Sequence, residues 1–381
     1  MKRSRIVGLA AAATALCLAA PSPVTAAAPS VSDPIATGLV GPLQFDVGDH
    51  GQVYVGENFA GLLTRIAPSG RKKVLYAERD GEVGGVASDG HTVAWTYTQA
   101  GEPPTETLAR LGTMRRPAAS ARGVVDLPDA LLRTRSAKGK VRTLADLAAY
   151  EARHNPDGDQ SYGFQGLSDE CAASVPEEIG GQPYSGIVES HPYAVANALG
   201  AGGWYVADAA ANAILRVSPR GRVTLVDVLP AQKVAITAEA AQMLGLPDCT
   251  VGKKYAFEPV PTDVEVDQST GKLVVSLLPG GPEDDSLGAR GSVYRVNPRT
   301  HTARKVAGGF LSATNVALGR GGRIYVAELF ADRISVIRDR RVSTLIQQEG
   351  LMPAGVEYAH GRLYASTQAL GPEGQIVTIS R

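Results

Sequence analysis

An all-β chain folded as a six-bladed β-propeller of four-stranded blades is what three features of the sequence predict. One phrase occurs three times, as "GQVYVGENFAGLLTRI" at 51–66, "GGWYVADAAANAILRV" at 202–217 and "GGRIYVAELFADRISVI" at 321–337. Weaker copies fill most of the remaining chain at a period of about 40 residues, the length of a four-stranded propeller unit. The two ends are also complementary. The last unit stops after three strands at 374–380, and "VSDPIATGLV" at 31–40 reads as a detached fourth.

The chain has 381 residues. Lys2, Arg3 and Arg5 precede an apolar run from Ile6 to Ala20 and the small-residue stretch "VTAAAPS". That is the pattern of a secretory signal peptide over 1–28, leaving a single domain over 29–381. Short strands rich in Val, Ile and Tyr, with Gly, Asp or Asn between them, then place blades at about 41–79, 80–147, 190–230, 259–309, 311–347 and 351–380. Residues 34–39 complete the sixth blade and close the ring. In the second blade the third strand is expected near 108–114 or 123–127, and the fourth within "GKVRTLADL" at 139–147. Seven blades, with one hidden in 97–190, is the alternative count.

The inner strand of a blade runs from the top face down, and the second strand returns. Four long inserts, at 97–123, 148–189, 229–258 and 278–290, therefore belong to the top face. Helical spacing in "VRTLADLAAYEARH" (141–154) and "AQKVAITAEAAQML" (231–244) puts short cap helices among them. The polar run "NPDGDQ" at 155–160 lacks the further acids of an EF-hand and reads as a turn.

The formal net charge is +0, and it moves to about −3 once the three leader bases are removed. This balance gives no electrostatic footprint for nucleic acid. After the leader, no stretch has the ~20 apolar residues of a membrane span. Cys17 leaves with the leader, and Cys171 and Cys249 remain as an even pair in an oxidising destination, where a disulfide is expected. The expected localisation is secreted or extracytoplasmic, with a small molecule, glycan or protein as partner.

Three groups of residues are candidates for chemistry. Glu57, Asp208 and Glu328 each follow a tyrosine of the repeated phrase by three residues, so they ring the top face as binding groups or as caps of the turn. Gln44, Asp263 and Asn315 stand before the first hydrophobic position of three inner strands and face the channel, where oxygen donors suit calcium. Ordered water is the plainer occupant. His191, beside Glu189 in "ESHPYAV", is the one candidate base. No nucleophile elbow, phosphate loop or clustered Cys/His set occurs. Trp95 and Trp204 fall on second strands and read as blade packing.

The phrases "GPLQFDV", "GQVYVGE", "ADLAAYEARHNPDG", "SHPYAVANAL", "VADAAANAILRVSPRG" and "FEPVPTDVEV" resemble the ScyD/ScyE family over about 34–380. The resemblance implies an exported propeller similar to NHL-repeat and, more remotely, strictosidine-synthase-like propellers, without an established reaction to transfer. The remoter likeness implies calcium-dependent lactonases, whose Glu, Asn and Asp ligands occupy inner-strand starts. Here those places read Gln44, Asp263 and Asn315, with Ala194 and Gly355 elsewhere, and the first-blade glutamate is absent. The reading that follows is a propeller binding its ligand through the capped top face. A calcium- or other metal-dependent hydrolase at the central channel is the alternative.

Overall fold

Six antiparallel blades, five of four strands and one of three strands joined by two short N-terminal segments, surround one axis in the computed structural model, which describes residues 28–99, 127–282 and 285–380. The inner strands of blades I to VI are Pro42–Val47, Gly81–Ser88, Pro192–Asn197, Pro261–Asp267, Ala313–Leu318 and Val356–Ala359. Each pairs with the strand that follows it. Outer strands run at the rim, from Lys72–Ala77 in blade I to Arg341–Gln347 in blade V. Residues 1–27, where the sequence predicts a leader, lie outside the described residues.

Blade VI is completed from the other end of the chain. Its third strand, Gly374–Ser380, pairs with Ser30–Val31 and with Ala36–Leu39. Leu39 and Ile376 are fully buried in this joint beside Phe45 and Val55 of blade I, so the ring closes through a hydrophobic seam as well as through backbone pairing. Blades then pack face to face. Trp204, Val206 and Leu215 of blade III meet Ala94 and Leu132 of blade II, while Ile214 meets Val264 and Val275 of blade IV. Trp95 and Trp204 are both buried packing residues. Inner strands approach most tightly at Gly85, where a Cβ would stand 2.5 Å from Ala194 Cα.

Blade II departs from expectation in its second half. Its third strand is Ala130–Ser136, beyond both sequence candidates, of which 108–114 and most of 123–127 lie outside the described residues. The alternation that fixes the strand is "ALLRTRS", whose Ala130, Leu132 and Thr134 are buried. Val141–Asp146 is a strand, so the helix expected from 141 starts only at Leu147, where the Asp146 carboxylate accepts from the Ala149 amide as an N-cap.

The inserts on either side of blade III build more than loops. Helices α1 (Leu147–His154), α2 (Asp169–Ser174) and α3 (Ala238–Met243) accompany a sheet in the order Tyr184–Ser185, Ser161–Gln165, Lys254–Phe257, Gln232–Ala235. This cap has its own core of Phe164, Ile236, Ala240, Leu246, Tyr255 and Phe257, joined by Leu287 from the blade IV insert. The Cys171–Cys249 disulfide ties the first insert to the second. The sequence reading foresaw the bridge and two of the helices. It missed the sheet, because strands of two to five residues carry too little alternation to be seen.

Candidate functional site

The acids of the repeated phrase are turned into the protein. Glu328 and Asp208 are fully buried and Glu57 nearly so. Each carboxylate accepts the backbone N–H of the link arriving at its own inner strand: Val40 to Glu57 at 2.9 Å, His191 to Asp208 at 2.7 Å and Leu311 to Glu328 at 3.0 Å. A hydroxyl completes each set, from Thr64, Ser190 and Ser335 respectively. Glu328 also takes a two-pronged contact from Arg333. Four residues on, Gly61, Asn212 and Asp332 adopt positive φ and close the turn, and their carbonyls accept from Glu78, Leu229 and Gln348. The recurring acid is therefore a clasp between the end of a second strand and the incoming link.

His191 sits on the top face with its side chain about 40% exposed. Partial desolvation opposes its charge, but the contact of its Nε2 with Glu82 at 3.3 Å, with Asp208 and Glu189 nearby, holds its pKa above the ordinary histidine value. It does not line the channel cavity.

Along the axis, the ring expected from sequence forms a roof. The inner strands of blades I, III, IV and V shift register just before or at this level, and the bulge turns the next side chain toward the axis. Gln44 Nε2 crosses from blade I to donate to the Thr262 carbonyl of blade IV at 3.0 Å. Asn315 Nδ2 donates to Gln44 Oε1 at 2.9 Å, Asn315 Oδ1 accepts from Val356 N–H, and Asp263 Oδ2 accepts from Val316 N–H at 2.9 Å. Above this roof, Leu43, Leu329, Ala354 and Ala369 pack with Tyr193 and Met352, filling the axis from blade III to blade VI. The channel is thus closed at the capped face, where the ligand was expected to arrive.

Below the roof lies a cavity of about 740 Å³ that opens among the short hairpins, past Asp49, Asp89, Gln268, Arg323 and His360. Its walls carry the next inward-facing position of the same strands, two residues on from the roof: Asp46, Glu265 and Glu357. The sequence reading passed over this ring, although strand period two, applied once more from Gln44, Asp263 and Gly355, points to it.

These carboxyls are strongly perturbed. Burial drives the Asp263 carboxyl up to about 7, against the opposing amides of Val316 and Val264. Burial lifts Asp46 to about 6, opposed by the amides of Ser88 and Val47 and assisted by Asp49. Glu265 is held well above the ordinary range by burial and then by the charges of Asp263 and Asp46. Glu357 is held there by burial and then by Glu265, Asp46 and Asp263. Glu357 and Glu265 lie within hydrogen-bonding reach of each other, two buried carboxyls placed to share one proton. Two neighbouring buried carboxyls resist ionising together, which is how one acid and one base can arise from like residues.

The calcium site that the remoter resemblance implies would draw on Gln44, Asp263 and Asn315. Gln44 and Asn315 have their amides engaged by protein partners, and among the described residues no trio of His, Cys, Asp or Glu is arranged to hold a metal ion.

No family model matches the chain, and no curated protein matches it. Solved structures do. A PQQ-bound aldose sugar dehydrogenase from Streptomyces coelicolor is 14% identical with a TM-score of 0.50, over 93% of this chain and 98% of that one. A protein of unknown function from Bacteroides thetaiotaomicron is 11% identical with a TM-score of 0.51, over 93% and 76%. An auxiliary nutrient binding protein from the same organism is 9% identical with a TM-score of 0.50, over 90% and 70%. At these identities the likeness is one of fold.

Proposed function

We propose that the protein is a hydrolase acting in its central channel on a small polar ester or lactone that enters from the short-hairpin face. The observation that carries this reading is the close pair of buried, upshifted carboxyls Glu357 and Glu265 lining a cavity of about 740 Å³, within the ~300–1,000 Å³ range of small-ligand sites. Glu265 takes a proton from water as the water oxygen bonds to the carbonyl carbon. Glu357 gives its proton to the departing oxygen as the carbon–oxygen bond breaks. One proton enters the pair and one leaves, so transfer across the hydrogen bond resets it. The closed roof keeps the channel single-ended, and the charge of Asp46 helps hold the proton on the pair near neutral pH. Export, and membership of the ScyD/ScyE family on the phrases quoted above, belong to the same proposal.

The test is turnover of an ester and lactone panel by the wild type and by Glu265→Gln and Glu357→Gln, with folding followed by circular dichroism. A loss of ~10²-fold or more in kcat is expected for each variant. Variants as active as the wild type, or a wild type inert toward the whole panel, would sink the reading. Turnover that appears only with added calcium would reassign the carboxylates to a metal.

A further inference from the structure

A second set of acids lies away from the channel, where α1 meets the link into blade III. Glu151 is 1% exposed, and its carboxylate is met by the Glu189 backbone amide without a well-formed hydrogen bond to either oxygen. Asp157 is fully buried: its Oδ2 accepts from Tyr162 Oη at 3.1 Å and Asn212 Nδ2 at 2.8 Å, while its Oδ1 has no partner. The Oδ1 of Asn155 is also buried and unpartnered. Four orphaned acceptor oxygens thus come from seven consecutive residues.

Contacts tie these residues to one another and to the link into blade III. Asn155 follows α1 in a left-handed conformation, and its amide caps the helix by donating to the Glu151 carbonyl. Asn155 Nδ2 reaches the Gly186 carbonyl at 3.2 Å, and a Cβ on Gly186 would stand 2.1 Å from Asp157 Oδ1. The Glu189 amide, three residues along the same link, faces the Glu151 carboxylate. Asp208 and Glu258 add negative charge nearby, and among the described residues no lysine or arginine pairs with any of the four acids. Buried acceptors without donors, beside like charges without a counter-charge, are costly.

We propose that Glu151, Asn155 and Asp157 form a calcium site that fastens the cap to blade III. Two carboxylates and an amide oxygen are hard, oxygen-only donors, and their orphaned atoms supply four of the ~6–8 oxygens that calcium takes, with backbone carbonyls and water for the rest. The "NPDGDQ" turn at 155–160 thus finds its missing acid on the preceding helix and not further along a loop.

The test uses the full folded protein after chelation and dialysis. Calcium alone is titrated by calorimetry and thermal unfolding, and terbium is followed by luminescence excited through tyrosine, since Tyr162 donates to Asp157. One ion per chain, a rise in Tm of about 5 °C and terbium emission quenched by calcium are expected. Asp157→Asn and the milder Asn155→Ser should weaken calcium binding at least ~10-fold, and Glu265→Gln should leave it unchanged. No calcium uptake at millimolar concentration, or uptake untouched by both cap variants, overturns the proposal. If Asp157→Asn fails to fold, Asn155→Ser and terbium on the wild type still decide it.

Discussion

Replacing Asp263 by asparagine should flatten the pH dependence of stability, because this carboxyl is 4% exposed and retains a proton that the unfolded chain releases. Its pKa stands at about 7 against an ordinary 3.8. Between those values the folded state binds one more proton than the unfolded state, so stability is highest below about pH 4 and falls as pH rises through 7. At ~1.4 kcal/mol per pH unit the full effect is about 4 kcal/mol, and about 2–3 kcal/mol of it falls between pH 5 and pH 8. An asparagine keeps an oxygen for the Val316 amide but releases no proton. Urea unfolding of both proteins at pH 5, 6, 7 and 8 is the assay. The variant should gain about 2–3 kcal/mol on the wild type across that range. Parallel stability curves would refute the buried, protonated carboxyl.

The clasp is tested by Glu328→Ala, which strands Arg333 and the Leu311 amide and should cost about 3–5 kcal/mol in urea unfolding; a cost below about 1 kcal/mol would place the acid among ordinary surface groups. Cys171→Ser opens a bridge spanning 78 residues and should lower stability by about 4 kcal/mol, with hydrogen exchange rising first in the cap strands. Uniform exchange across all blades would contradict a separate cap core. Gly85→Ala drives a Cβ into the Ala194 backbone and should lower stability by about 1–3 kcal/mol, measured by thermal unfolding; an unchanged Tm would mean the inner strands separate freely.

The ring of blades was legible because repetition multiplies a weak signal. Val, Ile and Tyr at alternate positions mean little once, but three copies of the same phrase and two complementary ends leave few topologies open. The cap sheet had no copy to compare with, and the blade II insert pushed Ala130–Ser136 away from its partners in the sequence. The acids at Glu57, Asp208 and Glu328 were visible for the same reason that they are architectural: a joint must recur in every blade it serves. The channel pair was less visible because Glu265 and Glu357 recur in only two blades, with Ala196 and Ala317 at the matching places. Glu151 escaped notice because its partners come from a helix, a turn and a distant link that only folding brings together.

Carboxyl carbon NMR of glutamate-labelled protein, titrated across neutral pH, tests the proton-sharing channel most directly. The wild type should show Glu265 and Glu357 titrating well above 4.5, and Glu265→Gln should bring the Glu357 signal down by removing the neighbouring charge. Two glutamates titrating in the ordinary carboxylate range, unmoved by that substitution, would contradict the account.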